Sequence, residues 1–262
     1  GLASEDAVVP VPRGEAVIDV VVWKWKKPGY RSTFGSDTVN VSRSMFARCL
    51  KTPHRFTCVT DDPAGIDPRV RVIDIATLPS HRFMSVPNPS SPANPSCYVR
   101  LFIFSPEAKD VIGDRIVSVD LDMVLTGDVT PLFDRDVDFA IWGGQTVQPR
   151  SSVPYNWFNG SLMMVRAGAR TKVWTDFDPT RSPAKAHQAG CRGSDQGWIA
   201  HCLGRSEHLW GVNDGVYSYR NHVQPAGGRL PKGARVVAFH GAHDPWHRDV
   251  QIRSPWVREH YR

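Results

Sequence analysis

Short apolar runs alternate along the chain with polar stretches rich in glycine and proline, and the runs have strand length. Residues 16–25 (AVIDVVVWKW) are β-branched and aromatic and read as a buried first strand. Glycines at 29 and 35 break that pattern. Asp37 or Thr38 is then placed to cap a helix running to Leu50, with Val41, Met45 and Phe46 at helical spacing. Residues 56–60 form a second strand, ended by Asp61-Asp62-Pro63, and residues 70–75 a third. Residues 79–95 are dense in proline, serine and asparagine and read as a long loop without a regular element. Residues 97–104 look helical. Strands follow at 115–119, 139–142, 162–165 and 235–239, with a second Gly/Pro/Ser-rich loop at 143–154 and a helix over 195–202. Strands interleaved with helices predict an α/β sheet with its long loops gathered at one edge.

Nothing in the pattern marks an internal boundary. With 262 residues, 41% of them hydrophobic, the chain is expected to form one domain: a core over residues 16–247 and a C-terminal extension over 248–262. No apolar run approaches the ~20 residues that cross a bilayer, so no transmembrane segment is expected. The acidic opening (GLASED) lacks a secretory pattern, and the five cysteines include no Cys-x-x-Cys pair. Reduced thiols in a cytoplasmic protein are the expectation. The net charge of +6 favours anionic partners, yet the basic residues are scattered, with Lys24-Trp25-Lys26-Lys27 the one dense patch.

The chain lacks Gly-x-Gly-x-x-Gly and Gly-x-x-x-x-Gly-Lys-Ser/Thr phosphate cradles and the Gly-x-Ser-x-Gly elbow. Dinucleotide oxidoreductases, ordinary ATPases and serine hydrolases therefore recede. The informative run is Ile116-Val117-Ser118-Val119-Asp120-Leu121-Asp122, an apolar strand that stops in two acids one residue apart. That spacing sends both carboxylates to one side, and two hard oxygen donors suit Mg²⁺ or Mn²⁺. His240 follows another apolar strand and can complete such a site. Asn159-Gly160 opens one strand and Asp195-Gln196 one helix, where sheets meet loops and sugars or phosphates bind; Ser194 competes with Asp195 for the helix cap.

The order of these motifs resembles the GT-A glycosyltransferases, most closely family 8, the glycogenin and lipopolysaccharide-galactosyltransferase type. The resemblance rests on Tyr98-Val99-Arg100-Leu101, Val117 through Leu125, Asp128 through Phe133, Phe158 through Val165, Ser194-Asp195-Gln196 and Phe239-His240-Gly241 through Pro245-Trp246. It spans residues 17–246 and is strongest over 98–196. It implies a GT-A, Rossmann-like mixed sheet flanked by helices, and a nucleotide-sugar donor, UDP-linked, held with Mn²⁺ or Mg²⁺ at Asp120, Asp122 and His240. It gives Arg100 to the diphosphate or donor sugar, and Asn159, Gly160, Asp195 and Gln196 to the sugar and its anomeric carbon, with Asp195 and Gln196 as the catalytic pair. Trp23, Lys24 and Asp61, at the first two strand ends, fall to the base and ribose; the alternative for Trp23 and Trp25 is plain core. Family 8 retains anomeric configuration.

One departure stands out. The family writes His-x-x-Gly-x-x-Lys-Pro-Trp, whereas this chain has a shorter span with Asp244 before Pro245-Trp246. The leaving diphosphate thereby loses a lysine; His243 or a nearby arginine is the candidate substitute, the alternative being a donor held differently, and Asp244 is expected to point away or pair with an arginine. The acceptor read from this resemblance is a saccharide or glycolipid, with modified bases in DNA as the alternative. The loops at 79–95 and 143–154, with Tyr155 and Trp157, are candidates for lid and acceptor contacts. The rival readings are a nucleotidyltransferase and a non-catalytic nucleotide-sugar-binding protein.

Overall fold

The computed structural model describes residues 17–26, 34–143 and 157–262. Four parallel strands lead the sheet: β1 (Ile18–Lys24), β2 (His54–Thr60), β3 (Arg71–Asp74) and β4 (Arg115–Val119). With β6 (Phe139–Trp142), β7 (Asn159–Arg166) and β8 (His208–Trp210) they form one sheet in the order β3-β2-β1-β4-β7-β6-β8. β7 runs antiparallel to both β4 and β6, and β6 is parallel to β8. Strands β1, β2, β4, β6 and β8 therefore all end at one edge, where β7 begins. A smaller sheet of β5 (Met123–Leu125), β10 (Val236–Ala238) and β9 (Val216–Ser218) leaves the same corner, since β5 starts directly after Asp122.

The two-residue period of β1 sorts its side chains into two cores. Ile18, Val20 and Val22 face a cluster that contains Val39, Met45 and Phe46 of the helix Ser36–Cys49, whereas Val21 and Trp23 face one built around the 3-10 helix Tyr98–Phe104. Covered on both faces, β1 is buried along its whole length, which is why Val20 to Trp23 form an unbroken apolar run.

Residues 79–95 are not without regular structure. Pro79–Ser85 is a 3-10 helix with proline in its first turn, where the missing N–H costs nothing. Tertiary packing fixes it: Ser80 donates to the Val99 carbonyl (2.7 Å), and Phe83 packs edge-on to Phe177 at 4.8 Å. Beyond residue 247 come two short helices, Arg248–Arg253 and Trp256–His260. Arg48 ties their end to the first helix by donating to the carbonyls of Arg262 (2.6 Å) and His260 (2.8 Å). All five cysteines are free thiols, and among the described residues no helix is long and apolar enough to cross a membrane. The loop expected at 143–154 lies, apart from Gly143, outside the described residues, as do Lys27 and Tyr155.

Gly113, just before β4, has φ 155°, and a Cβ there would overlap the Asp19 carboxylate. Asp19 cannot yield, because it is buried in β1 and paired with Arg55 at 2.6 Å. Gly113→Ala is expected to cost about 1–3 kcal/mol through overpacking and strain, read as a lower urea midpoint with an unchanged slope.

Candidate functional site

Four segments meet at the common strand edge. β4 ends at Val119, and the next residue, Asp120, continues the pairing with β7 by donating its N–H to the Ser161 carbonyl (2.9 Å). That register sets Asn159 and Gly160 beside the two acids. The helix Asp195–Leu203 begins against them, and the 3-10 helix Tyr98–Phe104 passes underneath with Arg100 buried in its middle.

Arg100 organises the cluster. Its Nε and Nη2 contact one oxygen of Asp195 at 2.8 and 2.7 Å, and its Nη1 contacts Asp120 at 2.5 Å. The guanidinium fork suits this double engagement. Asp195 is 1% exposed, so burial pushes its carboxyl upward; Arg100 pulls it back down, and Asp120 adds a second upward push. Gly160 sits against this trio. A Cβ there would stand 3.1 Å from Arg100 Nη2 and 3.3 Å from Asp195 Oδ2, and its N–H points to Gln196 Oε1 at 3.3 Å. Sequence singled out Asp120, Asn159, Gly160, Asp195 and Gln196, and the fold brings them together.

The other candidates have these surroundings. Arg100 engages Asp195 and Asp120 through all three of its nitrogens. Trp23 belongs to the core: 5% exposed, its indole N–H donates to Ser118 Oγ (2.9 Å). Trp25 is likewise core. Lys24 is buried and braces the end of β2, donating to the Asp62 carbonyl at 2.7 Å. Asp61 is exposed and accepts from the Lys26 N–H at 3.0 Å, which ties the ends of β1 and β2 together. Ser194 makes no helix cap; its hydroxyl accepts from the Cys97 N–H (2.9 Å) and lies 3.3 Å from Asp195 Oδ1. His243 pairs with Gln224 at 3.1 Å and stands 3.8 Å from Asp249, and the Asp244 carboxylate lies 3.4 Å from His247. Trp157 donates to the Gly204 carbonyl (3.0 Å) beneath the Arg205 guanidinium, which occupies its ring face.

The backbone carries Asp120, Asp122 and His240 to one corner. β10 pairs antiparallel with β5, and the Phe239 N–H extends that ladder to the Asp122 carbonyl (3.1 Å), so His240 comes next, level with Leu121 between the two acids. Their side chains do not stand as a ready ligand set. Asp120 Oδ1 holds Arg100, His240 Nε2 bonds to Ser218 Oγ at 2.6 Å, and among the described residues no group of three His, Cys, Asp or Glu converges for a metal. The chemistry of the corner nevertheless fits a divalent cation. The Tyr261 hydroxyl is buried there without a hydrogen-bond partner among the described residues. Its acidity is suppressed first by burial and then by the carboxylates of Asp37, Asp122 and Asp244. Negative charge concentrated on oxygen donors is what Mg²⁺ and Mn²⁺ select. Ser218 and Tyr261 were missed in the sequence: each is a single hydroxyl, far along the chain, with no local motif.

No protein-family profile matches the chain, and no curated protein matches its sequence. Solved structures do. The fold is similar to that of the galactosyltransferase LgtC in complex with donor and acceptor sugar analogues, at 15% identity over 92% of this chain and 96% of that one, with a TM-score of 0.58. An LgtC variant carrying glutamate for an active-site glutamine gives 14% identity, 92% and 95% coverage and a TM-score of 0.60. Mouse xyloside xylosyltransferase 1 in its apo form gives 14% identity, 87% and 98% coverage and 0.51. Likeness of this extent at such low identity is a likeness of architecture: the chain has the GT-A glycosyltransferase fold, in the form seen in LgtC.

Proposed function

We propose that the chain is a metal-dependent glycosyltransferase, a single catalytic domain that moves a sugar from a UDP-linked donor to a saccharide acceptor. The observation that carries this reading is the convergence of Asp120, Gly160, Asp195 and Gln196 around buried Arg100 at the sheet edge where α/β folds bind ligands. LgtC, with the same architecture, has a glutamine in its active site, and Gln196 is the glutamine that reaches this cluster.

Glycosyl transfer builds positive charge at the anomeric carbon while negative charge collects on the leaving diphosphate. A divalent cation held by Asp120, Asp122 and His240 would supply Lewis-acid stabilisation to that leaving group. Asp195 and Gln196 supply the opposite pole. Arg100 favours the charged form of Asp195 against a burial that raises its carboxyl, and a carboxylate there would stabilise the oxocarbenium-like centre. Gly160 has no side chain, which leaves the face of the cluster open to a sugar. The family-8 resemblance makes the reaction a retaining one.

The test is donor hydrolysis. Incubation with UDP-glucose or UDP-galactose and Mn²⁺ is expected to release UDP from at least one donor, detected by a coupled nucleotide assay. Absence of release from every UDP-sugar, with pyrophosphate formed from a sugar phosphate and UTP, would replace this reading with a nucleotidyltransferase.

A further inference from the structure

The helix Asp195–Leu203 begins in the candidate site and ends away from it. Six residues after Asp195, on the order of 9 Å along the helix axis, its last turn brings His201 and Cys202 to a separate cavity of about 470 Å³. Two short helices border the same space. Lys172 opens the helix Lys172–Thr175, and Lys185 lies within the helix Ser182–Gln188. No residue of the donor corner lines this cavity, and its volume is that of a small-molecule site.

The charges around it do not cancel. Arg181 is answered within its own turn: its Nε donates to Asp178 Oδ2 at 2.8 Å, while Asp178 Oδ1 accepts the Thr180 N–H (2.8 Å) and hydroxyl (2.6 Å). Lys172 and Lys185 are exposed, and among the described residues neither has an ion-pair or side-chain hydrogen-bond partner. Against these two ammonium groups stands one further carboxylate, Asp176, which accepts the Thr175 hydroxyl at 2.9 Å. The floor is firm. The His201 ring stacks on Trp198 with centroids 5.5 Å apart, and the Trp198 indole N–H is anchored on the Val173 carbonyl at 2.8 Å. Burial, and then the Lys185 charge, lower the basicity of His201, so at pH 7 it is a neutral ring with one N–H to donate. Burial pushes the Cys202 thiol up to about 12, so it adds no negative charge, and both lysines lie close enough to act on it. Two ammonium groups from different helices thus face one place, beside an imidazole donor.

We propose that this cavity binds a phosphate monoester of a small polar molecule, with the phosphate between Lys172 and Lys185 and the rest of the molecule over His201. Ammonium groups hold a phosphate as point charges and need no fixed fork. A bare phosphate ion leaves most of the 470 Å³ unfilled, so the space is suited to an ester with a body of its own. The site goes beyond the glycosyltransferase reading and does not depend on it.

The test is calorimetric titration, without added metal, of glucose 6-phosphate, ribose 5-phosphate, glycerol 3-phosphate, inorganic phosphate and glucose. The chains compared are the native one, Lys172→Ser/Lys185→Ser, Lys172→Arg/Lys185→Arg and, as a control at the donor corner, Asp122→Asn. Both lysines are exposed, so the paired variants are expected to keep the native thermal midpoint. At least one of the three esters is expected to bind the native chain several-fold more tightly than inorganic phosphate, and glucose not at all. Losing two exposed charge contacts should weaken that ester by about tenfold in the serine pair, whereas the arginine pair and Asp122→Asn keep native affinity. A native chain that binds none of the esters overturns the proposal, as does equal affinity in the serine pair. Loss of binding in Asp122→Asn would move the ligand to the donor corner, and inorganic phosphate binding as tightly as every ester would leave an anion site only; either result also overturns it.

Discussion

Arg100→Met is expected to unfold the chain at a temperature on the order of 10 °C below the native one and to abolish activity. The native guanidinium serves two acids, one of them Asp195 at 1% exposure. Removing one member of a buried ion pair leaves the other charge uncompensated, at a cost of about 3–5 kcal/mol, and for a chain of this size each kcal/mol shifts the transition by about 2–4 °C. The loss should depend on pH in a defined direction. Burial already holds the Asp195 carboxyl above its ordinary value, with Arg100 as the main opposing influence; without Arg100 the folded state binds that proton more tightly still. The native state then holds more protons than the unfolded one, so stability falls as pH rises from about the ordinary aspartate value of 3.9 and levels off above the folded value. The gap between native and variant should therefore be wider at pH 8 than at pH 5. Thermal scans at both pH values check this. A uniform gap would mean that packing, not charge, is what Arg100 contributes.

The second large effect concerns metal. Asp122→Asn is expected to remove Mn²⁺-dependent UDP binding while leaving the fold intact. Its carboxylate is 6% exposed at the corner where β4 hands over to β5, close enough to Asp244 and Tyr261 for all three to share one field. An amide is nearly the same shape, so the two sheets keep their junction. A carboxylate ligand contributes charge as well as a lone pair, whereas an amide oxygen offers the lone pair alone and holds a divalent cation more weakly. Calorimetric titration of UDP should show metal-dependent affinity falling by at least a hundredfold, with a thermal midpoint at or above the native one. Asp120→Asn is the less discriminating substitution, because it also breaks the contact to Arg100.

Much of the architecture was legible in the sequence, for a reason that β1 illustrates. A strand covered on both faces is mostly apolar, so the β-branched and aromatic runs within 18–24, 115–119 and 139–142 announce themselves, with the buried Asp19 answered by Arg55. The helix from Asp195 was equally plain. What stayed hidden was short or long-range. β5, β8 and β9 have three residues each, too few for a period to show, and they assemble through pairing with distant strands. Pro79–Ser85 is helical because Ser80 and Phe83 find partners in tertiary structure, which no local pattern records. In the site, residue identity told more than residue role. Asp120 and Asp195 were visible, but not that Arg100 joins them, for the pair Arg100 and Asp195 is separated by 95 positions. Trp23, Lys24 and Asp61 stand at the strand ends as expected, but their side-chain partners, Ser118, the Asp62 carbonyl and the Lys26 N–H, could not be read from the sequence.

The central claim is that the corner formed by Asp120, Asp122 and His240 is a metal-dependent nucleotide site. Titration of UDP into the native chain by calorimetry, with and without Mn²⁺, tests it most directly. Saturable binding that appears with the metal, and is lost after chelation and in Asp122→Asn, is the predicted result. UDP binding of equal strength with and without metal, or none in either condition, would contradict it.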